Sequence, residues 1–174
     1  MMRWQQYNQQ AWPWWLLFSL CVGLEAGALY FQQVLQYYPC EMCIYTRVWI
    51  MLIAFAALLQ LWLRHLQHVR LIGQTLLIAL MIGLALQVYD LLAVEKGFAS
   101  DGACAFKANF WSWAPLDQWW PAMFEVGDFC QATPEVWLGI SMAEGLAAFV
   151  LISLLLLLIY WLSDLVGWLN SRRH

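Results

Sequence analysis

Pro39-Cys40-Glu41-Met42-Cys43-Ile44-Tyr45-Thr46-Arg47 runs without a break into Val48-Trp49-Ile50-Met51-Leu52-Ile53-Ala54-Phe55-Ala56-Ala57-Leu58-Leu59-Gln60-Leu61-Trp62-Leu63. From Cys43 to Leu63 the stretch is apolar enough, and long enough as a helix, to cross a bilayer. Its first residues carry the chemistry. Two cysteines stand at C-x-x-C spacing where a short polar loop enters the helix, and so small a disulfide ring suits exchange better than stapling. Cys43 falls near the first turn, where unpaired N–H groups and the helix dipole favour a thiolate. Arg47 follows four residues later, one turn on and on the same face. The spacing therefore predicts a reactive dithiol at a membrane surface with a permanent cation beside it.

Composition extends the membrane reading to the whole chain. Of 174 residues, 64% are hydrophobic and 11% charged, with a mean hydropathy of +0.63; a soluble domain carries about 25% charge. So little polar surface points to an integral membrane protein. The net charge of −3 is small, and no basic patch suggests nucleic acid. Met1 to Pro13 holds one arginine and no small-residue cleavage site, so we expect a retained first span rather than a cleaved signal.

Four spans are expected, as a four-transmembrane-helix bundle of one membrane domain, residues 1–174. The first runs from about Trp14 to Phe31 after a cytoplasmic N-terminus, 1–13. It holds Cys21, read as a small hydrophobe, and Glu25, either a protonated packing residue or a proton carrier. Its Gly23 and Gly27 form a small-xxx-small pair suited to close helix contact. A loop, 32–42, carries the dithiol and leads into span two, about 43–63. A connection at 64–70 leads to span three, about 71–92. The long polar segment 93–142 contains Cys104 and Cys130, with Trp111-Ser112-Trp113-Ala114-Pro115-Leu116-Asp117-Gln118-Trp119-Trp120-Pro121 between them. Tryptophans at that density rest well in the headgroup layer, so a short interfacial helix is expected near Leu116 to Met123. Span four runs from about 143 to 161, followed by a tail, 162–174.

Arginine placement sets the expected topology. Arg64 and Arg70 lie between spans two and three, Arg172 and Arg173 follow span four, and Arg3 precedes span one. These regions are expected on the cytoplasmic side, with both cysteine loops outside, in an oxidising compartment.

Four loop cysteines allow three pairings. Proximity favours Cys40 with Cys43, and Cys104 with Cys130 then follows. The second pair closes a long loop that another protein can reach. The first is tethered to the bundle near the lipid, where a lipid-dissolved oxidant can reach it. That division predicts electron flow from an outside partner to the loop pair, to the membrane pair, to a membrane acceptor. The competing readings are structural staples in a non-enzymatic scaffold and a zinc site, although a structural zinc site usually has two C-x-x-C motifs and only one is present.

The residues also resemble the DsbB family of bacterial disulfide bond formation proteins. PCEMCIYTR at Pro39–Arg47 resembles that family's first redox segment. WAPLDQWWPAMFEVGDFC resembles the segment that ends at its last cysteine, here Cys130, and WLGISM at Trp137–Met142 resembles the stretch before span four. The resemblance implies a thiol:quinone oxidoreductase of the bacterial inner membrane. Cys104 and Cys130 would oxidise a periplasmic DsbA-like thioredoxin-fold protein, with Cys104 forming the mixed disulfide. Cys40 and Cys43 would reoxidise that pair, Cys43 and Arg47 would meet ubiquinone or menaquinone, and no metal is implied. Three departures stand out. Thr46 replaces an acidic residue, Tyr89-Asp90-Leu91 lacks a histidine some members place there, and GDFC carries one residue more than GDC. A vitamin K epoxide reductase-like protein also combines four spans with C-x-x-C, but there the active C-x-x-C follows the loop pair, whereas here it comes first.

Overall fold

The computed structural model describes residues 10–98, 108–110, 114–127, 135–137 and 139–171. Four helices account for most of them. They are α1 (Trp12–Gln33), α2 (Glu41–Leu63), α3 (Gln67–Glu95) and, after the long connection, α6 (Met142–Ser171). Each is long and apolar enough to cross a membrane, with mean hydropathies of 1.5, 2.0, 2.2 and 2.6 in chain order. The protein is an all-α membrane protein built as a four-helix bundle. On α6 the outward residues Leu151, Ile152, Leu155, Leu156 and Ile159 are all exposed; water would penalise that surface and hydrocarbon does not.

Helix starts follow local chemistry. Pro13 opens α1, where its missing N–H costs nothing. Ser141 and Glu144 cap α6 reciprocally: Glu144 N–H donates to Ser141 Oγ (3.2 Å) and Ser141 N–H to Glu144 Oε2 (3.1 Å). Lys96 Nζ, just past α3, reaches the other oxygen of Glu144 at 2.6 Å, pinning the end of α3 to the start of α6.

The helices pack in sequence, α1 on α2, α2 on α3 and α3 on α6. Trp14, Cys21, Ile53, Leu77, Met81, Leu84 and Val150 form the buried seam. Side chains of α1 and α6 also meet, with the Trp14 and Tyr160 rings 6.5 Å apart.

Close approach depends on glycines other than the expected pair. Gly23 and Gly27 have open space where a Cβ would stand, because α1 turns Trp14, Leu17, Cys21, Ala28 and Gln32 inward instead. The tight contacts are on α3, where a Cβ on Gly83 would overlap the Trp49 ring and one on Gly73 the Gln60 amide. The single interfacial helix expected near Leu116–Met123 is two separate turns, α4 (Leu116–Trp119) and α5 (Pro121–Phe124). Pro121 drives its predecessor out of the helical region, and Trp120 sits at φ −144°, ψ 71°. A two-stranded hairpin, β1 (Glu135–Trp137) with β2 (Ile140–Ser141), leads into α6 through Gly139 at φ 79°, inside the stretch expected as a loop. The last helix also runs ten residues beyond Trp161, to Ser171. It carries Asp164 into a buried pairing with Arg70.

Candidate functional site

The chain between α1 and α2 turns at Gln36, in the left-handed region at φ 58°. Gln36 steadies this turn with its own side chain: Nε2 donates to Gln33 O (2.8 Å) and Oε1 accepts from the Tyr38 hydroxyl (3.1 Å). Cys40 thereby arrives at the N-cap of α2, a position usually held by an oxygen side chain. Its sulphur does the capping, accepting from the Cys43 N–H at 3.3 Å. Cys43 stands three residues into the cap region, and the two sulphurs are 2.7 Å apart. Cys40 is 3% exposed. The sulphur contact with Cys43, together with burial, pushes the Cys40 thiol well above its ordinary range. In the reduced pair, Cys40 is the sulphur that keeps its proton.

Arg47 is also buried, at 6% exposure. Its Nη1 donates to Gln32 Oε1 (2.7 Å) and to Met123 O (2.9 Å), and its Nη2 to Ala28 O (3.3 Å). Three of the five guanidinium N–H groups thus tie α2 to the last two turns of α1 and to α5. Gln32 Nε2 donates in turn to Ala122 O at 3.1 Å. Gln32 thus belongs to α1 and not to the loop expected at 32–42. The signal for it was its spacing from Ala28 and Glu25, which puts all three on one face of an extended α1.

A cavity of about 100 Å³ opens beside the sulphurs, between the four helices. Glu25, Ala28 and Phe31 line it from α1, Cys43, Thr46 and Arg47 from α2, Leu91 from α3, and Ala143 and Leu146 from α6. Both carboxylate oxygens of Glu25 are buried and find no hydrogen-bond partner among the described residues. Thr46 donates its hydroxyl to Met42 O (2.9 Å).

Cys104 and Cys130 lie outside the described residues, but chain near each of them is held against this site. Asn109 N–H donates to the Tyr45 hydroxyl (2.8 Å), and that hydroxyl donates to Glu41 (2.9 Å). Ala108 is buried with Ile44, Met123 and Phe124. Past α5, Gly127 N–H donates to Pro39 O (3.1 Å), next to Cys40.

The profile described as Disulfide bond formation protein DsbB matches residues 10–161. The chain belongs to the DsbB family. A Disulfide bond formation protein B of Shewanella frigidimarina (strain NCIMB 400) is 35% identical over 159 residues, covering 88% of this chain and 94% of the relative. One of Pasteurella multocida (strain Pm70) is 40% identical over 154 residues, covering 84% and 83%. DsbB membership makes the chain an oxidoreductase in disulfide bond formation. Within this DsbB-family chain, Tyr89 and Asp90 point outward and are exposed, and Leu91 is the residue of that trio that lines the cavity.

Gly127 is where the long segment meets the dithiol loop, and a Cβ there would come 2.6 Å from Tyr38 Cβ. Gly127→Ala is therefore expected to destabilise the protein by about 1–3 kcal/mol, read as a lower midpoint of thermal unfolding in detergent. An unchanged midpoint would show that the segment is not held at Pro39.

Proposed function

We propose that this DsbB-family chain oxidises a periplasmic DsbA-like thioredoxin-fold protein and passes the electrons, through Cys104–Cys130 and then Cys40–Cys43, to ubiquinone or menaquinone. The observation that carries the reading is the placement of Cys43 and buried Arg47 in one cavity lined by all four membrane-crossing helices. A lipid-soluble oxidant reaches such a cavity without leaving the bilayer.

The lining fits a quinone. Phe31, Leu91 and Leu146 offer apolar walls, and Arg47 places a cation where negative charge develops on a carbonyl oxygen. Arg47 and Cys43 would hold the ring. A bound quinone supplies an acceptor for two electrons and two protons. The remaining chemistry belongs to sulphur: a partner thiolate attacks the loop disulfide and, by exchange through mixed disulfides, the reducing pair is handed on to Cys40 and Cys43. Two tethers support that transfer. Cys104 is four residues from buried Ala108, and Cys130 three from Gly127.

Orientation follows arginine placement. Arg64 and Arg70 lie at the end of the bundle away from Cys40, which assigns that end to the cytoplasm of a bacterial inner membrane and the cysteine end to the periplasm. The test mixes purified protein in detergent with a reduced DsbA-like protein and a soluble ubiquinone analogue, and follows quinone absorbance. Catalytic loss of quinone that vanishes in Cys104→Ser is expected. No loss with a competent thiol partner would overturn the proposal.

A further inference from the structure

We infer that Glu25 is the proton store of the Cys40–Cys43 cavity, protonated when the pair is reduced and ionised when it is a disulfide. This rests on the quinone reading above for the fate of the proton, though not for its uptake. Both Glu25 oxygens are buried, and neither meets a donor among the described residues. The side chain lines the same cavity as Cys40, Cys43 and Arg47. Among the described residues, Arg47 hydrogen-bonds only neutral oxygens: the Gln32 amide and the carbonyls of Met123 and Ala28. Its charge has no bonded counter-ion among them. Among the described residues lining the cavity, Arg47 is the one cation and Glu25 the one carboxylic acid.

The groups facing Glu25 decide how it can cycle. From the α1–α2 loop come Tyr37, Tyr38 and Cys40; from α2, Cys43, Thr46 and Arg47. From α3 and α6 come only Leu91, Met142, Ala143 and Leu146. Cys21 lies one turn away on its own helix. Glu95, at the end of α3, acts on Cys43 but does not line the cavity. A buried guanidinium needs one anion, and a second in the same apolar space would go uncompensated. With the pair oxidised, Glu25 supplies that anion. With the pair reduced, the Cys43 thiolate supplies it and Glu25 must carry a proton.

The ledger balances. An incoming dithiol delivers two electrons and two protons. The Cys40–Cys43 bond breaks, giving the Cys40 thiol, the Cys43 thiolate and the Glu25 acid. On reoxidation the sulphur–sulphur bond re-forms. Two electrons pass to the lipid quinone, and the protons of Cys40 and Glu25 pass to its two oxygens, leaving hydroquinone and the Glu25 carboxylate. The cavity holds one positive and one negative charge in both states.

The test uses the full chain in detergent, free of quinone, and records the infrared difference between its oxidised and dithiothreitol-reduced forms. A protonated-carboxyl band is expected to appear on reduction, to shift in Glu25→Asp, to vanish in Glu25→Gln and to persist in Glu95→Gln. Absence of the band from the unmodified protein, or its persistence unshifted in both Glu25 variants, overturns the inference. With quinone and partner added, Glu25→Gln should reduce quinone at least tenfold more slowly, while its thiol exchange with the reduced partner stays within twofold. An equal loss in both reactions would also overturn it. If the unmodified protein reduces no quinone at all, the relay falls, and the quinone-free band still judges Glu25.

Discussion

Cys43→Ser is expected to bring quinone reduction to background while leaving the partner's thiol free to exchange with the Cys104–Cys130 pair. The sulphur lost lines the same cavity as Arg47, one turn before it on α2. A serine oxygen in its place can hold the helix start, because the α2 cap uses the sulphur of Cys40 and only the backbone N–H of residue 43. The fold should therefore survive, and the loss be chemical. Cys40 then has no sulphur to close upon, so no disulfide stands there to accept electrons, and the loop pair stays a dithiol once the partner has reduced it, countable by thiol alkylation. The contrasting variant is Cys21→Ser, buried in the seam and fully enclosed. It should retain turnover and lose only some stability. Full turnover by Cys43→Ser would remove the membrane pair from the electron path.

The bundle was legible because its signal is local. Each span is a run of apolar side chains whose length alone identifies it, and Cys40, Cys43 and Arg47 announce themselves by spacing. Local rules also contained the break at Pro121, since proline constrains the residue before it; tryptophan density had drawn attention to the membrane surface instead. What could not be read were pairings across long stretches of chain. Gln32 gains its role only when Arg47, fifteen residues on, folds back to it and Met123 closes from the other side. Gly23 and Gly27 have the spacing of a contact motif, yet which face of a helix is buried depends on its neighbours, and here Gly83 meets Trp49 instead. Asp164 looked like a tail residue, because nothing within reach of the local sequence supplies its partner.

That partner is the basis of the largest stability effect expected. Arg70 Nε and Nη2 donate to Asp164 Oδ2 and Oδ1 at 2.7 and 2.9 Å, and Gln74 Nε2 adds a third donor to Oδ2 at 2.8 Å. Arg70 and Asp164 are 3% and 1% exposed, and Gln74 is fully enclosed. The pair clamps the start of α3 to the far end of α6, at the opposite end of the bundle from Cys40. Asp164→Leu leaves a buried guanidinium with no counter-charge and should cost about 3–5 kcal/mol, seen as loss of folded protein or a large fall in unfolding midpoint. Arg70→Met with Asp164→Leu removes both charges and should restore most of that loss. Recovery should be incomplete, because the Gln74 amide is then left unpaired, at about 1–3 kcal/mol; adding Gln74→Leu should close the remainder. Quinone turnover per folded molecule should be unchanged in the double variant, since no residue of the cavity is touched. If the single and double variants were equally destabilised, the coupling between Arg70 and Asp164 would be nil, and the clamp would owe its stability to the apolar seam alone.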